Sequence, residues 1–213
     1  VGFPILPLVH ELARYCDKDS ARWIHWGATT QDIIDTGLVL QMKEAFSIIG
    51  SQLDRLISTI ASLSEEHRLT VMAGRTFQQQ AAPITFGFKT AVWLDELLRH
   101  RDRLSEVRKR ALVCQFGGAV GTLATLEDRG LDVLHELSVE LGLEEPAISW
   151  HSSRDGWAEA IHWIAMVGAT LAKIANEVAT LMRTEVDEVR EPHETGKGGS
   201  STMPQKRNPV ACP

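Results

Sequence analysis

Apolar residues recur along most of this chain at alternating steps of four and three. Between residues 32 and about 67 the seam reads Met42, Phe46, Ile49, Leu53, Leu56, Ile60 and Leu63. That spacing belongs to a helix packed in a bundle. No proline interrupts it, and the single Gly50 is tolerable in so long a helix. Such a helix would span about 50 Å. A second seam runs Phe86, Trp93, Leu97, Leu104, Val107 and Ala111, broken by Thr90 and His100. A third runs Trp157, Ile161, Ile164, Gly168, Leu171, Ala175, Val178 and Met182. Small residues along it, Gly168, Ala169, Ala172 and Ala175, would let neighbouring helices approach closely. Strand signals are almost absent, so the pattern predicts an all-α protein, a bundle of long helices.

The connections carry the punctuation. Residues 68–83 break the first long helix from the second, 114–125 are glycine-rich, and 144–153 form a loop containing Pro146. A short amphipathic helix is expected at 131–141. The charged run 95–110 reads as a solvated helix face. With 213 residues and 44% apolar content the chain can bury a core in one or two domains. Its net charge of −6 argues against nucleic acid as the main partner. An anionic substrate would have to be met by local cations instead. No apolar stretch is read as reaching the roughly 20 residues that span a bilayer, so no membrane partner is expected. Cys16, Cys114 and Cys212 are odd in number and without metal-ligand spacing, which suggests a reducing cytoplasm and no metal site.

Two stretches could carry chemistry on their residue types alone. In HETGKGGSSTMPQKRNPV, a glycine pair frees the backbone and hydroxyls follow at Ser200, Ser201 and Thr202. Lys206, Arg207 and Asn208 add two cations and an amide before Pro209. A lid bringing a proton-transferring hydroxyl over an anionic substrate needs these groups, although a solvated linker shares the Gly/Ser composition. In HWGATTQDIIDT, residues Thr29, Thr30 and Asp32 precede the long helix, so one of them should cap it. Backbone N–H groups and hydroxyls at a helix start also make a carboxylate pocket.

GSSTMPQKRNP is similar to the signature loop GSSxMPxKxNP of the fumarase/aspartase superfamily. The resemblance implies mostly helical homotetramers that add or remove a group beta to a carboxylate, with each active site built from three segments on three subunits. HWGATTQD resembles the first such segment, HxGxTSxD, with Thr30 where serine is usual. Thr29, Thr30 and Gln31 then become ligands of a substrate carboxylate. GRTFQQQAAPITFG resembles the second, GRTHxxxAxPxTFG, and brings in Arg75 and Thr76. Phe77 stands where lyases of the family carry a catalytic histidine, and a phenyl ring moves no protons. Pro213 falls about where the glutamate orienting that histidine is expected. Loss of both resembles the cycloisomerase branch, whose members close a carboxymuconate into a lactone.

By that resemblance Ser201 transfers the proton at the carbon alpha to a carboxylate. Lys206 lowers the hydroxyl's pKa and, with Asn208 and Ser200, holds the substrate. Arg154, in WHSSRD, resembles a family stretch near the substrate; it or Arg75 could equally form a structural ion pair, with Asp155 for instance. GGAVGT at 117–122 resembles a loop lining the site. His25 and His151 lie beside motif segments, while His10, His67, His100, His135 and His162 read as packing or surface residues and His193 as solvent-facing. The expected partners are a small polycarboxylate substrate and three further copies of the chain, with no cofactor. Family chains are much longer, so this one reads as a central fragment: the end of an N-terminal region (1–30), a helical bundle (31–190), and the signature loop with the start of the next helix (191–213). Two alternatives stand beside the cycloisomerase: adenylosuccinate lyase or a related β-eliminating lyase, and a non-catalytic oligomeric scaffold.

Overall fold

The computed structural model describes residues 4–192 and 196–212, so the expectation for His193 lies outside the described residues. In chain order the elements are α1 (Ile5–Ala13), α2 (Lys18–Ala21), α3 (Thr30–Glu66), β1 (Val71–Thr76), β2 (Gln79–Thr85), α4 (Phe86–Ala111), a 3-10 turn (Ala124–Arg129), α5 (Gly130–Leu141) and α6 (Asp155–Leu181). Helix dominates, as the seams predict. The hairpin of β1 and β2 is a departure, because the sequence suggested only a break there. Its strands pair antiparallel, with Val71 opposite Thr85 and Thr76 opposite Gln79. Strand patterning is legible only when one face is buried, and β2 is exposed over most of its length.

The chain divides into two compact units, one of Val1–Ser51 with Arg103–His162, the other of Gln52–Asp102 with Trp163–Pro213. In the first, Val39 and Phe46 of α3, Leu104, Val107 and Ala111 of α4, and Leu134 of α5 are buried. Gly50 permits close contact here, since a Cβ on it would stand 3.0 Å from Leu104. The end of α4 is tied to the exit of α5 by Cys114 N–H donating to Glu144 O (2.9 Å) and Glu144 N–H to Leu112 O (2.9 Å). Lys43 donates to the carbonyls of Leu141 and Gly142, both at 2.9 Å, placing a cation at the negative end of α5.

In the second unit the core holds Leu53, Ile60, Trp93, Leu97, Trp163, Val167 and Leu181. Thr90 and His100, which interrupt the apolar seam of α4, are buried with it at 0% and 4% exposure. Each finds a polar neighbour: Thr90 Oγ1 donates to the Phe86 and Gly87 carbonyls, and His100 Nε2 lies 2.8 Å from Thr170 Oγ1. A buried polar group with a partner costs little, so the seam survives the interruption. Trp163, fully buried, donates its indole N–H to His100 O at 3.0 Å. The start of α4 presses on the end of α3 at Gly87, where a Cβ would come within 2.5 Å of Ser64 O and 2.6 Å of Arg68 Cα. The hairpin is anchored by Arg75, whose guanidinium makes two bonds to the Glu188 carboxylate at 2.7 and 2.9 Å.

α6 departs from the expectation most. Ile161, Ile164 and Leu171 of the expected seam are exposed, and the buried face is Ala160, Trp163, Val167 and Thr170. The helix is apolar almost all round, so periodicity selected no face. One 18-residue window reaches a mean hydropathy of 1.3 with only 17% of it buried. By length and composition it could cross a bilayer, which corrects the expectation that no stretch would. Three of its charges are nevertheless paired: Glu159 with Arg110 in the first unit, and Lys173 with Glu96 and Glu177 with Lys89 in the second.

Two outcomes test this packing. Gly87→Ala meets backbone that cannot yield, and should lower unfolding stability by about 1–3 kcal/mol in urea titration. Arg75 holds the Glu188 carboxyl below its ordinary value of 4.5. A depressed carboxylate stabilises the fold above its unfolded pKa and loses that contribution as pH falls through the folded one. Glu188→Gln should therefore destabilise at neutral pH, and its stability should fall less than the wild type's on acidification below about pH 4.

Candidate active site

The first turn of α3 buries two carboxylates. Asp32, 1% exposed, accepts from Thr29 N–H at 2.9 Å, so it closes the helix start from within, as the third residue of a capping box does. The same carboxylate accepts from the N–H groups of Gly117 (3.0 Å) and Gly118 (2.9 Å), and from Gln115 Nε2 (3.3 Å). His151 Nε2 stands 2.6 Å away; facing a carboxylate, that nitrogen carries the proton. Gly118 is required twice over. Its φ is +72°, and a Cβ would fall 2.9 Å from Gly27 O.

Gln115 joins the surrounding loops. Its backbone N–H and C=O both meet Thr36 Oγ1, at 2.9 and 2.8 Å. Its side chain donates to Ser149 Oγ (3.0 Å) and accepts from Trp150 N–H (2.9 Å). One turn along α3, Asp35 is 2% exposed. Its Oδ1 takes a bond from Gln31 Nε2 at 2.7 Å and an ion pair from Arg154 Nη1 at 3.0 Å. Arg154 also donates to His151 O at 2.6 Å, and its guanidinium lies 5.7 and 5.6 Å from the ring centres of Trp150 and Trp157. The ion pair left open for Arg154 thus exists, with Asp35 rather than Asp155. The hydroxyls of Thr29 and Thr30 have no partner among the described residues.

In the second unit, Arg75 and Thr76 end β1. Arg75 is taken up by Glu188, so the geometry favours a part in holding the hairpin. The turn beyond it is made by Phe77 (φ +49°) and Gln78 (φ +63°). Two-residue turns with both φ positive favour Asn and Gly, so Phe77 is held against its preference. It is also 100% exposed. In the signature loop, Ser200 Oγ accepts from the N–H groups of Thr202 (3.3 Å) and Met203 (3.1 Å). The loop is pinched where Gly199 bridges Arg207 and Asn208 N–H donates to Gly198 O at 2.8 Å. Ser201 and Lys206 are exposed, with no side-chain partner among the described residues.

Thr29, Thr30, Gln31 and Arg154 are therefore gathered in the first unit, and Arg75, Thr76, Ser200, Ser201, Lys206 and Asn208 belong to the second. Sequence reasoning missed Asp35, Gln115 and Ser149. For Asp35 a signal existed: carried back by heptads, the α3 seam passes from Phe46 through Val39 to Asp32, and from Met42 to Asp35. Acids on a buried seam need buried partners. Among the described residues, no group of three His, Cys, Asp or Glu side chains is arranged to hold a metal ion.

The profile of the lyase family matches residues 8–213. A 3-carboxy-cis,cis-muconate cycloisomerase of Pseudomonas aeruginosa is 46% identical over 99% of this chain and 46% of its own length. An N-acetyl-S-(2-succino)cysteine lyase of Dickeya dadantii is 44% identical over 97% of this chain and 45% of its own. The crystal structure of 3-carboxy-cis,cis-muconate lactonizing enzyme from Pseudomonas putida superposes with a TM-score of 0.89 at 44% identity, covering 97% of this chain and 47% of that one. The chain thus spans a little under half the length of these relatives. With its signature loop, its long helices and a match over nearly its whole length, the chain belongs to the lyase family of the fumarase/aspartase superfamily.

Proposed function

We propose that the whole protein is a cycloisomerase that interconverts 3-carboxy-cis,cis-muconate and its carboxymuconolactone. Phe77 carries this reading. A side chain that can neither give nor take a proton occupies a fully exposed hairpin tip, at the position where lyases of the superfamily place an imidazole. Lactone closure has no amine leaving group to protonate. One carboxylate of the substrate forms a C–O bond to the alkene, the electron pair moves toward a second carboxylate, and the alpha carbon takes one proton. Ser201 supplies that proton and recovers it from solvent. Lys206 and Asn208 meet the charge that develops on the second carboxylate. Thr29 and Thr30, at the positive end of α3, receive another carboxylate. The similarity to cycloisomerases of known structure supports the same reading.

The assembly belongs to the proposal too. A helix with Ile161, Ile164 and Leu171 exposed beside Gly168 and Ala172 is well suited to packing against copies of itself in a homotetramer whose sites are shared between subunits. Three free cysteines are in keeping with a cytoplasmic setting, and the reaction fits the breakdown of aromatic acids such as protocatechuate. A second reading, β-elimination from a succinyl thioether, is favoured by the 44% identity to the succinocysteine lyase, nearly equal to that of the cycloisomerase.

One comparison separates them. The full-length protein is expected to bleach the ultraviolet absorbance of 3-carboxymuconate and to release no fumarate from N-acetyl-S-(2-succino)cysteine; the reverse outcome would install the elimination reading. In the same assay Ser201→Ala should lower kcat by about 10²–10⁴-fold with an unchanged melting temperature, and retained turnover would remove Ser201 from its role.

A further inference from the structure

We infer that Asp35 is a positioning residue for substrate binding, and that it acts by holding Gln31 and Arg154 through one shared oxygen. The inference rests on the proposed reading to the extent that those two residues face a carboxylate ligand. Gln31 Nε2 and Arg154 Nη1 both address Asp35 Oδ1, at 2.7 and 3.0 Å. Asp35 Oδ2 is buried with no partner among the described residues. Everything that compensates this carboxylate therefore reaches it through the other oxygen.

Three consequences follow from the chemistry. A buried carboxylate needs a nearby cation, and Arg154 is the cation bonded to it, so Asp35 fixes where the guanidinium lies. The contacts of Arg154 with His151 O, Trp150 and Trp157 then fix its plane. Yet the Arg154 side chain remains 43% exposed, so its outer edge is still accessible to a ligand. A carboxylate only accepts, so the amide of Gln31 must turn its nitrogen inward and present its oxygen and one remaining N–H elsewhere. Asp35 thus sets the orientation of two donors from segments 123 positions apart, without being exposed enough to touch a ligand itself.

The test uses the full-length protein. Asp35→Asn keeps the shape but removes the charge that fixes Arg154, and lets the Gln31 amide turn over. Expected is a rise of about tenfold in KM with a smaller change in kcat, at an unchanged melting temperature. A purely structural role would instead lower the melting temperature and the active fraction while leaving KM where it was, and that result overturns the inference. Should Asp35→Asn fail to fold, the Gln31→Ala and Arg154→Lys pair decides: coupling through one oxygen makes their effects on KM non-additive, and independent effects refute it. Binding of tricarballylate, an inert tricarboxylate, followed by calorimetry separates this inference from the choice of reaction. Wild-type binding weakened about tenfold by Asp35→Asn supports Asp35 even if neither substrate is turned over; failure of the wild type to bind tricarballylate overturns it.

Discussion

A carboxylate with 1% of its surface exposed holds the first unit's loops together. Removing such a charge from water costs several kcal/mol unless donors replace the lost hydration. Asp32 has them from four directions: Thr29 before it, the Gln115 side chain, the peptide groups of Gly117 and Gly118, and the ring of His151. Each donor belongs to a segment whose course would otherwise be set by little more than loop entropy. The same residue that starts α3 therefore also fixes the glycine-rich loop and, through His151, the loop at 144–153 against that start. Thr29 and Thr30 keep unpaired hydroxyls because Asp32, and not they, does the capping.

Asp35 extends this arrangement by one turn, and with it the first part of α3 becomes a polar continuation of an apolar seam. Val39, Phe46, Leu53 and Ile60 bury carbon on the stripe that buries oxygen at Asp32. Both kinds of burial obey one rule, that a group leaving water must find a partner of its own kind. α4 shows the converse in the second unit, where Thr90 and His100 stay in the stripe by finding a carbonyl and a hydroxyl.

Legibility in the sequence follows from how local each cause is. The course of α3 and α4 was readable because an apolar stripe of fixed period needs no knowledge of the partner. The buried face of α6 was not, because nearly all its faces are apolar and the choice belongs to whatever packs there. The hairpin was hidden for the opposite reason, β2 having too little buried surface to impose an alternation. Among the candidate residues, the hydroxyls and cations of the signature loop were legible as a motif. The partners of Arg75 and Arg154 were not: Glu188 and Asp35 lie over a hundred residues away in the chain, and nothing local marks either as the mate.

The two units distribute their rigidity unequally. Around Asp32 and Asp35 most bonds run between segments distant in sequence, so their geometry is set by the fold. In the signature loop the bonds run among its own residues, as to Ser200 from Thr202 and Met203, or to Glu191 from Val210 and Ala211. Such a loop keeps its internal shape through bonds of its own, independently of distant segments. Phe77 completes the contrast. A benzyl group in a positive-φ turn, 100% exposed, gains no packing from the described residues to offset the strain of that turn.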